Sequence, residues 1–226
     1  MKTPKSRNPI DGGSGFTVVV AVIAALLTLN ACDRSDSSST GETRLTGSVG
    51  RTMENYGEEV VMYAQEFQLP PEYLLALIVL ESSGRRMIPP RFEIHVYRRL
   101  QEVKDGNRNL YQHVTPQHLQ DATDQEMKYL ASSWGPFQLM GYKCILLDIN
   151  IRDIRGRDAV YWGIHWINLT YGDKLREGKY KDAFHIHNTG RNYPVDGKPL
   201  THDPAYVDNG LEYMTVFKNI LAESKR

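Results

Sequence analysis

Between residues 53 and 67 the apolar positions Tyr56, Val60, Val61, Tyr63, Ala64 and Phe67 recur every three or four residues. That spacing puts them on one face of a helix. Two prolines, Pro70 and Pro71, interrupt the pattern. A second helix is expected from Pro71, which suits a first turn because its missing N–H is no loss there. Glu72 beside it favours the positive helix end. From Leu74 to Leu80 this segment is apolar all round, which places it at the centre of a core, and Gly84 supplies a stop. Residues 93–104, 116–131 and 156–177 set charged residues between apolar stripes and read as further helices, the 116–131 helix with Thr115 as N-cap and Pro116 at its first position. A last helix over 206–224 carries Tyr206, Val207, Leu211, Met214, Val216 and Phe217 on or near one side. No two-residue alternation persists, so only 137–142 and 184–188 are expected as short extended pieces. The fold class is all-α, or α-dominated.

The ends of the chain follow other rules. Lys2, Lys5 and Arg7 precede an uncharged apolar run over residues 16–29, which is too short to span a bilayer comfortably. It ends in Leu29-Asn30-Ala31-Cys32, which resembles a bacterial lipobox. That resemblance implies a signal peptide over 1–31 and a Cys32 that is lipidated and becomes the mature N-terminus. With two or more acyl chains it would anchor the protein stably to a membrane. The plainer readings are an uncleaved short anchor, or a simple signal with a chance cysteine. Asp33 resembles the residue that retains such lipoproteins at the inner membrane, facing the periplasm. Residues 33–50 are Ser, Thr, Gly and charge with little to bury, and read as a flexible tether, leaving one domain over 51–226.

Composition adds little beyond this: 226 residues, 41% hydrophobic and 24% charged, is ordinary for a globular chain. Losing residues 1–31 removes Lys2, Lys5, Arg7 and Asp11 and takes the net charge from zero to −2. With no long basic run, nucleic acid is not an expected partner. Lipidation of Cys32 leaves Cys144 alone, so no disulfide framework is expected, and its apolar neighbours make it a buried structural thiol.

The most apolar helix ends in a carboxylate, Glu81, followed by Ser82, Ser83 and Gly84. The negative helix end and apolar surroundings both disfavour the anion and raise the pKa. Such a carboxylic acid can hold its proton near neutral pH, as the acid in glycosidic-bond cleavage must. Taken by itself, Glu81 could equally mark where the chain surfaces. Further elements weigh against that. The segment Ala76–Gly84 resembles the catalytic helix end of the lysozyme-like lytic transglycosylases and goose-type lysozymes. Gly135-Pro136-Phe137-Gln138-Leu139-Met140 resembles their Gly-Leu-Met-Gln element, and Ile186-His187-Asn188-Thr189-Gly190 their Ala-Tyr-Asn-x-Gly element. The segment opening at Tyr206-Val207 resembles their closing helix. The chain departs from the family at Pro136-Phe137 and at His187, which stands where a tyrosine is usual. Residues 89–97 and 133–142 are closer to the phage-type N-acetylmuramidases within the same broad fold.

The resemblance implies peptidoglycan glycan strands as substrate and Glu81 as general acid and base. It implies Ser82, Ser83, Gln138, Met140, Asn188, Tyr193 and Tyr206 as substrate-binding residues. A transglycosylase closing a 1,6-anhydro ring needs one carboxylate; a hydrolytic muramidase needs a second, for which Glu93 and Asp148 are candidates. A catalytically inactive, wall-binding lipoprotein is the third reading, and partners in an envelope machine stay open. Gln138 and Asn188 could as well cap loops. Trp134, Trp162 and Trp166 read first as core, with Trp134 the best cleft candidate. No cofactor is expected and no metal, since His185 and His187 form a lone pair without the rest of a zinc set.

Overall fold

Glu81 owes its position to the helix behind it. The computed structural model describes residues 46–224; the expected signal peptide, Cys32, Asp33 and most of the tether lie outside them. Helix α2 (Pro71–Ser82) has Pro71 in its first turn, and every residue from Tyr73 to Val79 is buried. Burying each of its large aliphatic side chains stabilises the fold by about 1.5–3 kcal/mol. Helix α1 (Gly47–Phe67) and the C-terminal helix α10 (Tyr206–Glu223) pack along it.

Helix α1 starts six residues before the expected Met53, so residues 47–50 belong to the domain and not to the tether. Contacts far along the chain explain this. Arg51 Nε donates to the Ser83 carbonyl at 3.2 Å, Asn55 Nδ2 to that of Gly84 at 2.7 Å, and the Tyr56 hydroxyl to that of Arg85 at 2.7 Å. Gly84 has a φ of +72°, and a Cβ there would stand 2.4 Å from Thr52 Oγ1. Only glycine allows α1 so close to the turn that ends α2.

The expected helix over 116–131 is two, α4 (Pro116–Leu119) and α5 (Asp124–Leu130). Thr123 and Glu126 form a capping box that starts α5 afresh, a signal the sequence does carry. With α3 (Ile94–Lys104) they enclose a smaller core of Val96, Leu100, Val103, Val114, Leu119, Met127 and Ala131. Three short antiparallel strands lie in the order β1 (Arg91–Phe92), β2 (Ser132–Trp134), β3 (Leu139–Met140), with Ser133 opposite both Arg91 and Met140. The expected extended piece over 137–142 is thus partly strand.

Helices α6 (Lys143–Leu147) and α7 (Ile151–Arg155) were not apparent in the pattern, being one turn or so each. Helix α8 (Ala159–Arg176) starts three residues after the expected 156 and is broken at Tyr171, where φ is −147°. The other expected extended piece, 184–188, is helical within α9 (Tyr180–Thr189). There Ala183, Phe184 and His185 are buried in succession, so no single face alternates and the period-two reading fails. The architecture is α-dominated, ten helices and one small sheet among the described residues.

Candidate functional site

Glu81 lies in the last turn of α2, where the helix reaches the surface and its side chain is 16% exposed. Ser83, in the left-handed region at φ 53°, ends the helix and its N–H bonds the Val79 carbonyl. Four elements bring polar groups to the carboxyl. The Tyr206 hydroxyl, at the start of α10, donates to Glu81 Oε1. From α9, His187 Nε2 stands 3.9 Å from the same oxygen. Lys143 on α6 and Arg91 on β1 act on it through their positive charge.

Burial is the main cause that pushes the Glu81 carboxyl up from 4.5 to about 7; the Tyr206 hydrogen bond, Lys143 and Arg91 oppose it. No carboxylate is among the groups that shift it. Burial likewise pushes His187 down to about 3, with Lys143 adding to the fall. The ring is therefore neutral, and its 3.9 Å approach to Glu81 is not an ion pair. The hydrogen bonds assign its tautomer: Nε2–H donates to the Phe137 carbonyl at 3.0 Å, and Nδ1 accepts from the Tyr171 hydroxyl at 2.7 Å. Tyr73 donates in turn to Tyr171 at 3.4 Å. Burial pushes both tyrosines up, so they stay neutral donors. Glu81 thus ends as a carboxylic acid near half-protonation at neutral pH, with one oxygen held by Tyr206 and its side chain mostly buried. Such a group can give a proton and take one back.

The other expected residues are placed unevenly. Asn188, exposed in the last turn of α9, reaches the Tyr206 phenol and makes it easier to ionise, so it belongs to the cluster. The Ser82 hydroxyl donates to the Ile78 carbonyl at 2.8 Å, within its own helix, and not to Glu81. Ser83 contributes the helix cap. Gln138 spends its amide within its own loop, accepting from Ser133 Oγ at 2.8 Å and donating to the Gly135 carbonyl at 3.0 Å. Tyr193 donates to the Gly197 carbonyl at 3.0 Å. Met140 is half-buried in β3 against the smaller core.

Neither candidate second carboxylate is free beside Glu81. Glu93 is bound to Arg91 at 2.9 Å and lies 3.5 Å from His95. Asp148 is exposed at the far end of α6. Trp134 is core, 5% exposed, with Nε1 donating to the Tyr129 carbonyl at 2.9 Å. Cys144 is buried, and its thiol is pushed up to about 12, chiefly by that burial. His185 is buried and spends both ring nitrogens on the 190–201 segment, at Arg191 and Leu200.

Lys143, Tyr73, Tyr171, Arg91 and His187 were missed as site residues, His187 having been noted only where a tyrosine is usual. For Lys143 a signal existed: like Glu81, it is a charge set directly against an apolar run, Cys144 to Leu147. Two clefts of about 380 and 460 Å3 lie elsewhere, one beside Gln117 and Asn150, the other beside Arg86 and Arg155, and neither is lined by Glu81. The site is recognised by its chemistry, a carboxylic acid of raised pKa among phenols and cations. No family model, curated protein or solved structure matches this chain.

Proposed function

We propose that this chain is a lytic transglycosylase of lysozyme-like fold that cuts peptidoglycan between N-acetylmuramic acid and N-acetylglucosamine. The observation that carries the reading is the Glu81 carboxyl, held near half-protonation at neutral pH on the end of the most buried helix. In the proposed reaction Glu81 protonates the bridging oxygen as the bond from the muramic C1 to that oxygen breaks. The resulting carboxylate takes the proton of the muramic 6-hydroxyl while O6 bonds to C1. Glu81 is restored and no water is consumed. One carboxylate suffices, and among the described residues the groups acting on Glu81 are a phenol and two cations, which favours this course over hydrolysis.

Mass analysis of muropeptides released from purified peptidoglycan tests this. The protein should begin near Thr43, so that the first turn of α1 is kept. The expected products carry 1,6-anhydro ends, lighter by one water than reducing ends and inert to borohydride. Reducible ends would assign the chain to the hydrolytic muramidases. Release of nothing, from folded protein that still binds the wall, would leave the wall-binding reading.

The membrane anchor through Cys32 is part of the same proposal. No described helix is long and apolar enough to cross a membrane, and an acyl anchor needs none. Globomycin is expected to block processing, and labelled palmitate to reach Cys32. Unlabelled mature protein free in the periplasm would refute it.

A further inference from the structure

Lys143 stands where a cation has few reasons to be. It opens α6 directly after β3, and the backbone leading to it is fixed: Gly141 N–H bonds the Ser132 carbonyl at 2.8 Å and Tyr142 N–H that of Leu130 at 2.9 Å. Its side-chain nitrogen lies 3.4 Å from the centre of the Trp166 ring. Trp166 is buried and meets the His187 ring edge-on at 5.8 Å, and His187 in turn adjoins Glu81. Among the described residues Lys143 forms no ion pair within 4.0 Å and no side-chain hydrogen bond. An aromatic face attracts a cation but gives its N–H groups no oxygen acceptor. The nearby charge of opposite sign that acts on it is Glu81.

We propose that Lys143 is a positioning residue of this site, its nitrogen on the Trp166 face acting through Glu81 as the counter-charge to the carboxylate left when the acid gives up its proton. The proposal rests on the reading of Glu81 as general acid. Before transfer Glu81 is neutral and gains little from a cation. As the proton leaves, negative charge grows on the carboxyl, and Lys143 in its protonated form stabilises that state selectively. Burial pushes Lys143 down to about 7 and Glu81 up to about 7, and each moves the other back toward its ordinary range. On this proposal the titration of each responds to the charge of the other.

Other groups face them from every side: Arg91 from β1, Tyr206 from α10, His187 from α9, Tyr171 and Trp166 from α8, and Tyr73 from α2. Arg91 and Tyr206 lower Glu81 as Lys143 does, so removing Lys143 weakens that pull without abolishing it. His187, which Lys143 helps to keep neutral, would protonate more readily, but only at acid pH, since its folded value is about 3.

The test follows the Glu81 carboxyl by carbon NMR across pH in the full chain, in wild type, Lys143→Met and Lys143→Arg, with kcat/KM profiles on peptidoglycan alongside. In Lys143→Met the carboxyl titration and the alkaline limb of activity should both move to higher pH by about one unit, with kcat down about tenfold. Lys143→Arg should restore both in large part. An unmoved carboxyl titration in folded Lys143→Met overturns the proposal. Should that variant not fold, the Lys143 amine is followed in Glu81→Gln: loss of the carboxylate should lower its titration, and an unmoved amine overturns the proposal equally. If the groups prove coupled while Glu81→Gln still digests the wall, the coupling stands and the cleavage reading falls.

Discussion

Glu81→Gln is expected to lower peptidoglycan cleavage by about 10²–10⁴-fold, the usual scale for loss of a general acid, while leaving the domain folded. Gln keeps the shape and one oxygen to accept from Tyr206 but cannot give a proton. Its effect on stability has a definite sign. The folded carboxyl titrates near 7 and the unfolded one near 4.5, so between these values the folded state holds a proton that the unfolded state lacks. Stability from this group is therefore full below pH 4.5 and is lost as pH rises to 7, by up to roughly 3 kcal/mol. Gln carries no such loss. The melting temperature of the variant should thus match wild type at pH 4 and exceed it at pH 7.5. The comparison must be with wild type at each pH, because His187 and Lys143 have depressed values and contribute slopes of opposite sign, over about 3–6.5 and 7–10.5. Near wild-type turnover would remove Glu81 from the role; equal melting temperatures at both pH values would show that its carboxyl is not held up by burial.

Glu81 was legible because its signal is local: seven apolar residues and then a charge, on a segment whose prolines fix where the helix begins. The long helices were legible for the same reason. What escaped depends on contacts between distant parts of the chain. Residues 47–50 are poor in apolar side chains, and they are helical because the turn after Glu81 supplies acceptors to the helix they begin. The 184–188 segment alternates in sequence yet is buried on several sides at once, which turns the period-two reading into a helix. The polar neighbours of Glu81 come from β1, α6, α9 and α10, and no spacing rule says which lysine or tyrosine will meet a given carboxyl. Asn188 and Tyr206 were found because they fall within recognisable elements, whereas His187 entered only as a departure from one of them. Gln138 falls within one too, but its amide is used by its own loop.

Tyr206→Phe should have the second-largest effect. The ring is 8% exposed, and Phe fills its space, so the core of α2 and α10 is kept. What disappears is the hydroxyl that donates to Glu81 Oε1. A hydrogen bond to a charged group is worth about 1.5–3 kcal/mol, and this one favours the carboxylate over the acid. Without it the carboxyl should titrate above 7, by about one to two units. A general acid works while protonated, so the alkaline limb of kcat/KM should move to higher pH by the same amount. The plateau should nevertheless fall, by about 10–100-fold, because the charge that forms on Glu81 during proton transfer has lost its donor. Asn188→Ala, which removes a partner of the phenol and not of the carboxyl, should shift the limb far less. If Tyr206→Phe lowered the plateau and left the limb in place, Tyr206 would act on the substrate and not through Glu81. If neither changed, the hydrogen bond would have no part in the reaction, and Lys143 and Arg91 alone would set the acidity of Glu81.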